Sequence, residues 1–175
     1  MSSCTDLPRF RTSGVIANLQ LAWAKPDEDS SVTAPKRLGA QRAGRQLAFA
    51  DLLKHDAMLV AGSDGPLPSM NPFEAMEIGA TRRAADGTGA ALGPAQALRI
   101  SELLQMLTRN GAFAARAERF SGQLLPGYAA DLIVIDQNLL QIAPEQISET
   151  RVLLTLLAGR PVHTSSTFPW PKSPR

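Results

Sequence analysis

Short apolar runs separated by turn residues organise this chain. Val15-Ile16-Ala17-Asn18-Leu19-Gln20 is apolar and β-branched at its start, and Ala57-Met58-Leu59-Val60-Ala61-Gly62 repeats that pattern, so both predict buried strands. Ahead of the first, Asp6 as cap, Pro8 in the first turn and Gly14 as stop predict a short helix. Between the strands, Leu21 to Lys36 is rich in Pro, Asp and Ser and reads as a long loop. A helix then follows from about Arg37 to His55, with Leu38, Phe49, Leu52 and Leu53 near one face and Arg42, Arg45 and Lys54 turned outward. The second strand ends in the turn Gly62-Ser63-Asp64-Gly65-Pro66. Beyond it, Asn71-Pro72 opens a helix from Phe73 to about Arg83, and Ala84 to Gly93 is a small-residue connector.

Further helix is predicted through Leu98, Ile100, Leu103, Leu104, Met106 and Leu107, with a break at Asn110-Gly111 before Ala112, Phe113 and Ala115. The pattern then changes to strands. Asp131 to Asp136 is an apolar strand between carboxylates, Pro144 to Ser148 suits one helical turn, and Arg151 to Leu157 is a strand turning at Gly159-Arg160 into Pro161-Val162-His163. These elements predict an α/β chain: a βα portion over 1–120, a β portion over 121–163 and a disordered, proline-rich tail over 164–175. Two parallel strands cannot cover both faces of a sheet or close a barrel, so the βα portion reads as incomplete.

Composition narrows the classes. At 175 residues and 44% hydrophobic, the chain can build a core. Eighteen Lys and Arg against sixteen Asp and Glu leave +2, too little to predict a nucleic-acid partner. The single cysteine, Cys4, excludes an internal disulfide, and no apolar run reaches the length of a membrane span or a signal peptide. A cytoplasmic protein with no membrane partner is expected. Cys4 with only His55 and His163 is a poor zinc set at such scattered spacing, and both histidines are expected at the surface.

Asp64 is the candidate for chemistry. It follows a buried parallel strand, on the side of such sheets that carries active sites in (β/α) barrels. A carboxylate there can ligate a metal or move a proton between water and a leaving group. The alternative is a turn aspartate bonded to its own backbone two residues on. Arg82 and Arg83 suit either an anionic substrate or a solvated helix end. The acidic run Asp27-Glu28-Asp29 reads as a solvated loop.

Gly14 to Gln20, Ala61-Gly62-Ser63-Asp64, Asn71-Pro72-Phe73, Ala80-Thr81-Arg82-Arg83, Thr108-Arg109-Asn110-Gly111-Ala112 and Gly122 to Asp136 together resemble the C-terminal part of the amidohydrolase superfamily. The nearest branch is the amidohydrolase-3 type that includes N-substituted formamide deformylases. The resemblance implies the last two βα units of a TIM-like (β/α)8 barrel, followed by part of a small β-sandwich. It further implies hydrolysis of a non-peptide carbon–nitrogen bond, on a small amide-type substrate, by hydroxide activated on zinc or another divalent metal. Asp64 matches the family's aspartate after the last barrel strand, the catalytic proton carrier and sometimes a metal ligand. Trp23 would border the pocket mouth, and Arg82 would contact substrate; on its own, Trp23 suits a packing anchor. The family's His-x-His pair and its other ligands have no counterpart here, so this chain is expected to bind no metal and to be inactive alone. Asp64 would hold a metal only with ligands from another chain. A second expectation is a non-catalytic binding or scaffold domain completed by a partner chain, with self-association through exposed strand edges.

Overall fold

The computed structural model describes residues 5–66 and 69–169. α1 (Leu7–Thr12) leads into β1 (Ile16–Leu19), and β2 (Met58–Ala61) lies beside it, parallel and in register from Ile16 opposite Met58 to Leu19 opposite Ala61. The ladder extends one residue further, where the Gly62 amide donates to the Leu19 carbonyl at 3.1 Å. Side chains alternate across such a pair. Ala17, Leu19 and Leu59 enter the core on one face, with Ala61 packed against them. Ile16, Asn18, Met58 and Val60 share the other, where Asn18 is exposed.

Between the strands the predicted single helix is broken into α2 (Ala34–Leu38), α3 (Ala40–Ala43) and α4 (Phe49–Lys54). Gly39 sits at φ 76°, a conformation open to glycine but not to a helix interior, and Leu47 at φ 52° breaks the chain again. Only the last segment keeps the expected apolar face, with Phe49 and Leu52 buried. The expected loop carries local structure of its own, a 3-10 turn at Leu21–Trp23 and one wide helical turn at Asp29–Thr33. Asp27, expected to be merely solvated, accepts the Ser30 amide at 2.6 Å at the start of that turn.

α5 (Pro72–Thr81) begins as the sequence predicts: the Asn71 side chain accepts the Phe73 amide at 3.0 Å and Pro72 needs no donor partner in the first turn. α6 (Ile100–Leu107) and α7 (Arg109–Ala114) break at Thr108 rather than at Asn110-Gly111, because the Thr108 backbone leaves the helical region at φ −123° and ψ −92°. Asn110 is thereby inside α7, and its side-chain amide donates to the Leu59 carbonyl of β2 at 2.9 Å. Met76 and Ile78 of α5, Leu103 and Met106 of α6, and Phe49 and Leu59 form the centre of the core. Burial of each such side chain contributes about 1.5–3 kcal/mol.

The C-terminal part is a three-stranded antiparallel sheet in the order β3 (Leu132–Ile135), β4 (Val152–Leu157), β5 (Arg160–Thr164). Ala158-Gly159 make the hairpin turn between β4 and β5, one residue before the predicted position. The 3-10 turn Pro144–Glu149 buries Ile147 completely, and Leu139 and Ile147 join the same core as α5. Glu77, buried in α5, accepts the Ser148 amide at 2.8 Å and ties that turn to the helix. Hence the core crosses the division expected at residue 120. The tail expected to be disordered from 164 is in fact bonded at its start: Thr164 closes β5, and the Ser165 amide donates to the Leu153 carbonyl at 2.8 Å. Residues 170–175 lie outside the described residues.

Candidate functional site

β1 and β2 end together, so the segments leaving them emerge side by side on one rim. Gly62 makes the first step of the turn above β1. A side chain there would come within 3.3 Å of the Asn18 amide oxygen, so the close passage over β1 suits glycine. Ser63 then accepts the Gly65 amide at 3.2 Å, which fixes the turn without Asp64. Two residues beyond Asp64 stands Pro66, which has no N–H, so the backbone bond two residues on cannot form. Asp64 itself is exposed at φ 56°, and among the described residues its carboxylate takes part in no hydrogen bond or ion pair. It is a carboxylate held out over the C-terminal rim, free to accept a proton or a cation.

Trp23 leaves the same rim from the 3-10 turn after β1. Leu21, Ala22 and Ala24 around it are buried, while Trp23 itself is 41% exposed. No hydrogen bond links it to Asp64 among the described residues.

Arg82 corrects the sequence reading in both its forms. It is neither a solvated helix end nor open to a dissolved substrate, because it is 0% exposed. Left-handed at φ 60°, it turns its side chain inward at the end of α5. Nε donates to the Leu92 carbonyl at 2.8 Å, the guanidinium lies 4.9 Å from the centre of the Phe49 ring, and both terminal nitrogens are buried without partners. Burial alone pulls its pKa down to about 10. This arginine is structural, stacked on an aromatic face. Arg83 beside it is exposed.

His55 and His163 are both exposed, as expected, and Cys4 lies outside the described residues. Among the described residues no three His, Cys, Asp or Glu side chains converge in a geometry that could hold a metal ion. A cleft of about 370 Å³ opens at the opposite, N-terminal end of the strands, between Phe10, Val15, Ile16, Met58, Asn110 and Phe113. It is remote from Asp64 along β2, whose residues rise from one end to the other. Sequence reasoning passed over Asn18, Glu77 and Asn110. Only Asn18 interrupts an otherwise apolar element, and that interruption was the available signal; Glu77 and Asn110 share their helices with other polar residues.

A parallel strand pair with a carboxylate on its C-terminal rim, followed by helices and a small antiparallel sheet, makes this a mixed α/β protein. The family model for the amidohydrolase family matches residues 4–163, and the chain belongs to that family. It is 28% identical over 156 residues to the protein LONG AFTER FAR-RED 3 of Arabidopsis thaliana, a match covering 89% of this chain and 26% of that protein. It is 32% identical over 97 residues to the N-substituted formamide deformylase of Arthrobacter pascens, covering 55% of this chain and 18% of that enzyme. Among solved structures, the amidohydrolase from Thermotoga maritima MSB8 superposes with a TM-score of 0.50 at 21% identity, over 68% of this chain and 26% of that one. This chain thus spans about a quarter or less of the length of the curated relatives it matches. Among the described residues no helix is long and apolar enough to cross a membrane.

Proposed function

We propose that this chain carries the proton-transfer carboxylate of an amidohydrolase acting on a non-peptide carbon–nitrogen bond in a small amide-type substrate, as the last two βα units of its barrel and part of its β-sandwich. The observation that supports this reading is Asp64: exposed, free of partners among the described residues, and on the rim where parallel βα units carry chemistry. In the proposed reaction Asp64 accepts a proton at a carboxylate oxygen as a water oxygen bonds to the amide carbon. The same proton passes to the leaving nitrogen as the carbon–nitrogen bond breaks, so the carboxylate is regenerated. Trp23 would offer an apolar wall to the substrate on the same rim. Arg82, enclosed in the core, takes no part.

A divalent metal, when bound in the family, supplies Lewis acidity to the water. The residues of this chain do not by themselves fit that group, since Asp64 offers one donor and no other ligand converges with it among the described residues. Asp64 would ligate a metal only with side chains supplied from elsewhere, and the chain alone is proposed to be inactive. The runner-up reading is a non-catalytic scaffold domain completed by a partner chain.

The test is a chimera in which this chain replaces the matching region of the Arthrobacter pascens deformylase. Turnover of a formamide substrate is expected, with Asp64→Asn lowering kcat by about 10²–10⁴-fold. A folded chimera whose rate is unchanged by Asp64→Asn overturns the catalytic reading. A folded chimera with no turnover in either form favours the scaffold. Turnover by the isolated chain with added zinc would refute its inactivity.

A further inference from the structure

Asn18 is the polar exception in β1. Asparagine is depleted in strands, and residues that break a local preference gather where a chain does chemistry. It stands second from the C-terminal end of the strand, opposite Val60, on the face turned away from the helices of the core. In the barrel reading that face looks inward, and its last residues lie beneath the mouth of the active site.

Gly62 indicates what the position is kept for. It continues the alternation of Met58 and Val60, so a side chain there would rise on the face that Asn18 occupies. Its backbone is not left-handed, so the turn itself does not demand glycine. The three atoms nearest to a Cβ at Gly62 all belong to the Asn18 carboxamide: Oδ1 at 3.3 Å, Nδ2 at 3.7 Å and Cγ at 3.9 Å. A larger residue would therefore sit over that carboxamide and cover it. Glycine within a strand often marks the close approach of a ligand or of another backbone. Nor does the carboxamide serve the turn. Residues 62–66 are fixed by the Gly62 amide on Leu19 and the Gly65 amide on Ser63, with no bond to the Asn18 side chain.

Asp64 follows Gly62 by two residues, and the inference rests on reading it as the proton carrier. The atom that Asp64 then serves is the leaving nitrogen, and a carboxamide oxygen beside it meets the N–H of that nitrogen. This N–H grows more acidic as the nitrogen takes up its proton. The hydrogen bond therefore strengthens toward the transition state, which is the condition for raising the rate. We infer that Asn18 is a specificity-determining residue: its Oδ1 accepts the N–H of a secondary amide, a monosubstituted formamide being the simplest, and selects for substrates that carry one.

The chimera with the Arthrobacter pascens deformylase tests this on two substrates, N-butylformamide and N-butyl-N-methylformamide, the second of which has no N–H. The parent chimera should prefer the first. Asn18→Leu keeps the shape without the acceptor and should lower the ratio of the two kcat/KM values by about 10–100-fold. Asn18→Asp keeps a carboxyl oxygen and should retain the preference. Its loss in Asn18→Asp would assign the contact to Nδ2 and overturn the bond to Oδ1. Asp64→Asn separates the two readings, because it should depress both substrates alike. If it changes neither rate, the carboxylate reading fails and the inference with it. A collapse in Asp64→Asn, beside an unchanged substrate ratio in Asn18→Leu, overturns the inference alone. A graft of residues 14–66 carries the same comparison if the longer one does not fold, and a folded graft that turns over neither substrate counts against both readings.

Discussion

Arg82 holds its charge where water cannot reach it. Its gains are one charge-assisted bond to Leu92 and the face of Phe49; its cost is two terminal nitrogens without partners. A charged hydrogen bond contributes about 1.5–3 kcal/mol and a desolvated cation–π contact about 2 kcal/mol, while each of the two unsatisfied buried donors costs about 1–3 kcal/mol, so the terms nearly cancel. Arg82→Met, which keeps the buried stem, should therefore stay within about 1.5 kcal/mol of the parent in denaturant unfolding, while Arg82→Ala leaves a cavity and should lose about 2–4 kcal/mol. The pH dependence has a definite sign. With the folded pKa pulled down by burial to about 10, below that of the unfolded chain, the unfolded chain binds more protons above pH 10, so the parent should gain stability relative to Arg82→Met as pH rises from 9 to 11. A gap that widens against the parent over that range would contradict the buried charge. The sequence presents Arg82-Arg83 as equivalent neighbours. Only the left-handed turn at the end of α5 sends one inward and leaves the other in water.

At the scale of elements, the strands and the capped helix were legible, because each rests on local signals. The apolar runs yield β1 and β2 to within a residue or two, and Asn71-Pro72 caps α5 as its spacing demands. The helix predicted from Arg37 to His55 was not, since an apolar spacing continues across Gly39 while the backbone does not. Contacts between elements were less legible still. Glu77 reads as one more polar position on α5, yet it receives the Ser148 amide from a segment 71 residues away. Glu77→Ala should strand that amide and cost about 1–3 kcal/mol, whereas Glu77→Gln keeps an acceptor and should cost less. Faster exchange of the Ser148 amide in the alanine variant alone is the accompanying signature, and equal losses in both variants would argue against the bond.

For the whole molecule, the decisive feature is a core that joins the βα portion to the β portion through α5, Leu139 and Ile147. Thermal unfolding should accordingly be a single transition in which circular dichroism and tryptophan fluorescence coincide, and Ile147→Ala should lower the stability by about 2–5 kcal/mol without splitting the transition. Two separated transitions would mean that the portions fold independently. The amino-acid sequence determined the class of elements, their order and the candidate carboxylate, because hydrophobic period, capping and turn chemistry act over a few residues, and the family entered through the resemblance of its motifs. The tertiary structure decided that Asp64 stands open on the strand rim while Arg82 is enclosed, and that Asn110 bonds the outer edge of β2. Those outcomes depend on which distant segments pack together, and burial and hydrogen-bond satisfaction are properties of that packing alone.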